Sequence, residues 1–213
     1  LGSSPAPLPV VGGHKFKQIV AGAEHSCGLT TAGQMLCWGH NDWRQLGTGT
    51  NIGSSSMPIA VAGNRTFTYI TAGSATTCGV AGDGSAWCWG ANSIGQVGDG
   101  GKIAYGNVYM AQPNQVVGGL SFKAISAANQ HTCALTVGGQ AYCWGSNGMK
   151  LGNNGTDSSS PVPVSGNHTF KSISAGFWHT CGVTTASQIY CWGSNGSGQL
   201  GAPVLNGSGV PVL

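Results

Sequence analysis

The stretch His25-Ser26-Cys27-Gly28-Leu29-Thr30-Thr31-Ala32-Gly33-Gln34-Met35-Leu36-Cys37-Trp38-Gly39 decides the fold, because its frame of Cys, nine residues and Cys-Trp-Gly recurs three more times. The later copies are Cys78 with Cys88-Trp89-Gly90, Cys133 with Cys143-Trp144-Gly145, and Cys181 with Cys191-Trp192-Gly193, starting 51, 55 and 48 residues after their predecessors. All eight cysteines belong to the repeat. A period of this size signals a propeller, a solenoid or a similar array, with function carried on its surface.

Identically spaced cysteine pairs read either as metal knuckles or as disulfides. Structural zinc takes paired ligands about two to four residues apart, and a nine-residue spacing does not supply that. Four disulfides within the repeats are therefore expected, and no metal or cofactor. Such bonds persist in oxidising compartments, so an extracellular or cell-surface location is expected.

Pairing Cys27 with Cys37 sets Gly28 opposite Leu36 and Leu29 opposite Met35, a hairpin closed by a three-residue loop. Gly33, Gly84 and Gly139 hold the last loop position, which needs a left-handed backbone, and Ser187 departs there. Tiny residues face bulky ones in each copy, Gly28 with Leu36, Gly79 with Trp87, Ala134 with Tyr142 and Gly182 with Tyr190, so the bulky partner is expected to cover the tiny one. A disulfide across so short a loop contributes roughly 2.5 to 3 kcal/mol in the chain-entropy picture.

A third strand precedes each hairpin, at Phe16 to Gly22, Phe67 to Gly73, Phe122 to Ala128 and Phe170 to Gly176. A fourth, rich in Pro and Val, follows at Met57 to Gly63, Pro113 to Gly119 and Pro161 to Gly166, and its prolines suit an outer edge. Four short antiparallel strands per unit make a propeller blade, so the chain reads as an all-β, β-propeller of four-stranded blades. The repeats fall at 14–63, 64–119, 120–166 and 167–213 of one repeat domain spanning 1–213. Residues 1–13, with Pro7-Leu8-Pro9-Val10-Val11, read as a terminal strand from a preceding unit, matched by Val210-Pro211-Val212-Leu213 at the other end. Three architectures fit: an excerpt of a longer array, an open arc, or a closed four-bladed ring.

Ile173-Ser174-Ala175-Gly176, His179-Thr180-Cys181 and Tyr190-Cys191-Trp192-Gly193-Ser194-Asn195-Gly196-Ser197-Gly198-Gln199-Leu200-Gly201 resemble the repeat of the regulator-of-chromosome-condensation family. The resemblance covers essentially the whole chain and implies a propeller that is usually seven-bladed. The added cysteine pairs are similar to those of secreted bacterial members and of plant crinkly-type receptor ectodomains. The nuclear member's exchange activity on a small GTPase is not expected here, since no activity-specific residues match.

Only Glu24, Asp42, Asp83, Asp99 and Asp157 could provide the carboxylates of an acid/base site, so no enzyme is expected. A net charge of +3 from eight scattered Lys and Arg contains no basic run, which argues against nucleic acid as a partner. No stretch is apolar enough for a membrane span. The absence of an initiator Met and of a signal-type segment reads as a mature protein or an excerpt.

His25, His131 and His179 share a register with Thr76, and read either as a metal set or as structural hydrogen-bonding residues. Trp38, Trp89, Trp144 and Trp192 recur as inter-blade packing. Trp43, which replaces the Gly or Ser of a Gly-Gln-Leu-Gly loop, and Trp178 do not recur, which makes them candidate partner contacts. Residues 101–110 make the second copy the longest and add Tyr105 and Tyr109, further contacts on a candidate partner-specific loop whose alternative is a mobile insertion. Sequons at Asn64, Asn154, Asn167, Asn195 and Asn206 are candidate N-glycosylation sites, with Asn64 and Asn167 in one register. The expected function is a non-enzymatic, self-assembling structural propeller carrying glycans, whose partners are other copies of itself or adjacent repeats; the alternative is a protein-recognition module.

Overall fold

The computed structural model describes residues 4–203 and 206–213. Among these no helix forms, and sixteen strands build four separate antiparallel sheets, each of four strands. Blade 1 holds β1 (Phe16–Ala21), β2 (His25–Thr30), β3 (Met35–Gly39) and β4 (Ser55–Ala60). Blade 2 holds β5 (Phe67–Ala72), β6 (Thr76–Ala81), β7 (Ala86–Ala91) and β8 (Tyr109–Gln115). Blade 3 follows with β9 (Phe122–Ala127), β10 (His131–Thr136), β11 (Ala141–Gly145) and β12 (Ser158–Pro163). Blade 4 has β13 (Phe170–Ala175), β14 (His179–Thr184), β15 (Ile189–Ser194) and β16 (Gly207–Val212). Within each sheet the strands lie in chain order, so the proline-bearing fourth strand is the outer edge.

Every cysteine pair sits at directly opposed hairpin positions and is bonded, Cys27–Cys37, Cys78–Cys88, Cys133–Cys143 and Cys181–Cys191, with Cα atoms 4.0 to 4.1 Å apart. The register also pairs Gly28 with Leu36 and Gly79 with Trp87. The space over the glycine is filled differently from the expectation. A Cβ at Gly28, Gly79 or Gly182 would lie 2.4, 2.5 and 2.6 Å from the ring of Phe16, Phe67 and Phe170, so the first strand's phenylalanine, and not the opposed bulky residue, demands the missing side chain. Ser187 takes the left-handed turn position at φ 65°, beside 85°, 84° and 87° for its glycine counterparts.

The fourth strands start earlier than the Pro/Val pattern suggests. They begin at Ser55, Tyr109, Ser158 and Gly207, and the first three stop three or four residues before their expected ends at Gly63, Gly119 and Gly166. The serines at three starts hold a tight local turn, Ser55 Oγ donating to the Met57 carbonyl at 2.8 Å, Ser158 to Ser160 at 2.7 Å and Ser208 to Val210 at 2.6 Å. Residues 7–11 form no strand and are exposed, with Leu8 73% accessible.

The core lies between blades. Leu29, Met35, Leu46 and the Cys27–Cys37 bridge of blade 1 pack on Phe67, Ile70 and Trp89 of blade 2, and Leu135, Ala141 and Leu151 of blade 3 pack on Phe170 and Trp192 of blade 4. Each joint carries one polar bracket. The Gln45 carbonyl accepts the Trp89 indole N–H at 3.0 Å and the Thr77 hydroxyl at 2.7 Å; the Gln96 carbonyl accepts Trp144 and Thr132; the Lys150 carbonyl accepts Trp192 and Thr180. The recurring tryptophans thus pack between blades and also satisfy a buried carbonyl.

The blades do not close into a four-bladed ring. Ile19 is 59% exposed although its counterparts Ile70 and Ile125 are 0% and 1%, and Ile189 is 58% exposed although its counterpart Met35 is 2%. Each terminal blade therefore presents one half of an inter-blade joint.

Candidate functional site

Antiparallel order puts the β1–β2 and β3–β4 type connections of every blade on one face, and the disulfide hairpin turns on the other. The first face holds the long loops, 40–54, 92–108, 146–157 and, in the fourth blade, residues 195–203, so it carries the variable chemistry of the array. An asparagine organises each loop, buried in the first three and half-buried in the fourth. Asn41, Asn92, Asn147 and Asn195 accept through Oδ1 the backbone N–H of Leu46, Val97, Leu151 and Leu200 at 2.9 to 3.2 Å. Asn195, a sequon residue, also donates its Nδ2 to the Ala202 carbonyl at 3.2 Å, so its amide is engaged in the loop.

The first loop departs from this shared frame, as does the third, where Met149 has φ 69°. Trp43 lies in the register of Ile94 and Ser197, their backbone N–H groups reaching the side-chain oxygens of Gln45, Gln96 and Gln199. The glycine of the repeat is replaced by its neighbour: Arg44 has φ 62°, where Gly95 and Gly198 have 77° and 75°. A left-handed non-glycine costs on the order of 1 kcal/mol, and such strain gathers where a side chain is needed. Arg44 puts its guanidinium over the Tyr109 ring at 5.2 Å and donates to the Ile52 carbonyl at 3.3 Å.

Trp43 walls two adjoining clefts. The inner one, about 320 Å³, lies across blades 1 to 3 with Glu24, Gln45, Ile94, Gln96 and Gln130 around it. The outer one, about 210 Å³, is bounded by Asp42, Trp43, Asn107 and Tyr109. His40 stands beside them, 3.6 Å from Glu24 and 3.1 Å from Asp42. Two of the residues singled out in the sequence, Trp43 and Tyr109, are thereby brought together, with Tyr109 on the first position of β8 and not in a loop.

Tyr105 and Trp178 lie elsewhere on the same face. The Tyr105 hydroxyl donates to Asp157 of blade 3 at 3.2 Å, and Ser93 bonds the 104–106 backbone, so the middle of the insertion is tied to blades 2 and 3. That carboxylate raises the Tyr105 phenol pKa. Trp178 is half-exposed, edge-on to Phe177 at 4.6 Å and under the Lys150 ammonium at 4.8 Å. Burial lowers the Lys150 pKa, opposed by Asp157.

Two histidines of the repeat, His25 and His131, bond across the joints between blades. His25 Nε2 is 2.8 Å from the Thr77 hydroxyl, and His131 Nε2 is 2.8 Å from that of Thr180, each in the next blade. Thr77 spends its one proton on the Gln45 carbonyl, so His25 donates from Nε2 and its Nδ1 carries no proton. Burial, with a smaller push from His40, lowers the His25 pKa to about 4; burial, with Lys150 and His179, lowers His131 to about 3. Both are neutral at pH 7. Among the described residues no three His, Cys, Asp or Glu side chains gather as a metal set.

The sequons Asn64 and Asn167 are exposed and occupy left-handed turn positions at φ 46° and 52°. Gly13 and Gly119 fill the equivalent position at 64°, so the turn alone explains why asparagine recurs there. Asn154 and Asn206 are also exposed, at φ 54° and 63°.

Comparison with known proteins places this geometry. The chain is 28% identical over 144 residues to the ultraviolet-B receptor UVR8 of Arabidopsis thaliana, covering 67% of this chain and 32% of that protein. It is 31% identical over 144 residues to the probable E3 ubiquitin-protein ligase HERC4 of Homo sapiens, covering 65% of this chain and 13% of that protein. It thus spans a third or less of these relatives. Among solved structures, Prp20p of Saccharomyces cerevisiae superposes with a TM-score of 0.84 at 20% identity, over 96% of this chain and 51% of that one. The ectodomain of the Arabidopsis thaliana receptor kinase ACR4 gives 0.59 at 21% identity, over 86% and 54%. The family model of the regulator of chromosome condensation (RCC1) repeat matches residues 16–42, 67–96, 122–149 and 170–199, one match per blade, and the chain belongs to the RCC1 repeat family.

Proposed function

We propose that this RCC1-type propeller is a non-enzymatic protein-recognition module acting outside the cell, and that its partner sits on the long-loop face across Trp43. One observation carries the reading: Trp43 walls both clefts, in the loop where a strained Arg44 replaces the repeat's glycine. An aromatic ridge flanked by Asp42, Glu24 and Tyr109 has the composition of an interface hot spot, with a large rigid anchor and polar groups around it. The four disulfides favour the extracellular setting. Capture from extracellular material with the wild-type protein and with folded Trp43→Ala tests it. A discrete protein retained by the wild type and lost by the variant supports the reading; equal retention by both refutes it.

A second reading rests on the terminal blades. The open Phe16, Ile19 and Trp38 side of blade 1 and the Val183 and Ile189 side of blade 4 are the two halves of the joint seen three times within the chain. They suit head-to-tail stacking on further blades or on a second copy. Self-association of residues 1–213 that Ile189→Asp abolishes supports this reading, and a strictly monomeric protein opposes it. Glycans at Asn64 and Asn167 are part of the proposal for a eukaryotic source; peptide mass spectrometry finding both unmodified in native material removes them.

A further inference from the structure

The charges are divided unequally between the two faces. Glu24, Asp42, Asp99 and Asp157 lie on the long-loop face with Arg44, Lys102 and Lys150. Lys15, Lys17, Arg65, Lys123 and Lys171 lie at the hairpin end, where Asp83 is the one acidic side chain among the described residues. Contacts fix this placement. The Lys15 carbonyl accepts from Thr31 in the first hairpin turn, Lys123 donates to the Val137 carbonyl at 3.4 Å, and Lys171 donates to the Ser187 hydroxyl at 2.8 Å. One end of the array thus carries most of the net positive charge that the sequence scatters.

Three of these lysines occupy one position of the repeat. In every blade the register of the first strand skips its second residue: Phe16 and Gln18 pair where Lys17 does not, and the same bulge falls at Thr68, Lys123 and Lys171. A bulge leaves its extra residue unpaired and re-aims its side chain. The first strands are also those that meet from blade to blade, β1 with β5, β5 with β9 and β9 with β13. Lys17, Lys123 and Lys171, all exposed, therefore stand as an arc of ammonium groups at the hairpin end of the array's inner edge, with Lys15 two residues before the first of them.

We propose that this hairpin end binds an acidic polysaccharide, a glycan chain with repeated carboxylate or sulfate groups. Single ammonium groups one blade apart act as point charges and suit a polymer whose anions recur along its length. Two of the rings at this end are already used, Arg65 lying 3.4 Å over Trp87 and His168 stacking on Tyr190 at 3.9 Å. Tyr69 stays 39% exposed next to the bulge of blade 2, a single platform where a single-stranded nucleic acid stacks successive bases on several. The surface is opposite the Trp43 clefts, so it stands independently of the protein partner proposed there.

The test measures binding of a heparin-derived oligosaccharide against salt concentration. The wild-type protein is expected to bind with a dissociation constant that rises steeply with salt. The triple variant Lys17→Thr, Lys123→Thr, Lys171→Thr copies the threonine that blade 2 carries at the same bulge, Thr68. It is expected to bind at least about tenfold more weakly and with a clearly shallower salt dependence. Circular dichroism establishes that it is folded. Lys102→Thr, on the other face, is expected to change binding less than about twofold. Absence of wild-type binding, or an unchanged triple variant, overturns the proposal. Equal affinity for oligoglutamate or single-stranded DNA of matched charge overturns the polysaccharide assignment.

Discussion

Acid should loosen the joints between blades through two particular histidines. Folding lowers the pKa of His25 from about 6.5 to about 4 and that of His131 to about 3, chiefly by burial. Between pH 6.5 and those values the unfolded chain binds protons that the folded chain refuses, so their contribution is intact above pH 6.5 and is lost as pH falls. Each pKa unit corresponds to about 1.4 kcal/mol, so by pH 5 each site has given up roughly 2 kcal/mol and the pair about 4. The geometry gives the physical reason: a protonated ring would carry a second N–H at Nδ1, which in both histidines is buried without a partner. Urea denaturation of the oxidised protein at pH 7, 6 and 5 measures the slope. The variant His25→Thr, His131→Thr copies Thr76 of blade 2. It should be less stable at pH 7 by on the order of 1 kcal/mol per lost hydrogen bond, yet show a much flatter pH dependence. Equal slopes for the two proteins would refute the reasoning.

Trp144→Ala, in a fully buried joint, should cost about 3 to 5 kcal/mol, whereas Trp38→Ala, at the open side of blade 1, should cost clearly less; thermal denaturation of both compares them. Ser187→Gly should stabilise by about 0.5 to 1 kcal/mol by relieving the left-handed turn, read as a raised Tm. Arg44→Gly should stabilise by a similar amount and weaken capture of the partner, since the guanidinium leaves the Tyr109 ring. Stabilisation with undiminished capture would remove Arg44 from the site.

Local features of the fold were legible because each repeat states them in a few residues. The cysteine spacing sets the hairpin register, and Gly33, Gly84 and Gly139 set its turn. The recurring tryptophans announced the packing between blades, but the polar bonds that cross the joints were not legible, since Thr77 and His25 are 52 residues apart and nothing between them announces the bond. The fourth strands were displaced because Pro and Val marked the edge, while the serines that open the strands through a hydroxyl turn went unread. In the candidate site, Trp43 and Tyr109 were visible as unrepeated aromatics. Aligning Asn41 to Leu46 with Asn92 to Val97 would have shown that Arg44, and not Trp43, takes the glycine's place. The lysine arc was hidden for a topological reason: Lys17, Lys123 and Lys171 are far apart in sequence and meet only because the same bulge recurs in successive blades.

The central claim is that recognition happens at the long-loop face around Trp43. A photo-crosslinking amino acid placed at position 43, and in a second protein at position 187 on the hairpin face, addresses it directly in native extracellular material. The account predicts a discrete protein adduct from position 43 and none from position 187. A protein adduct from position 187 alone would contradict it.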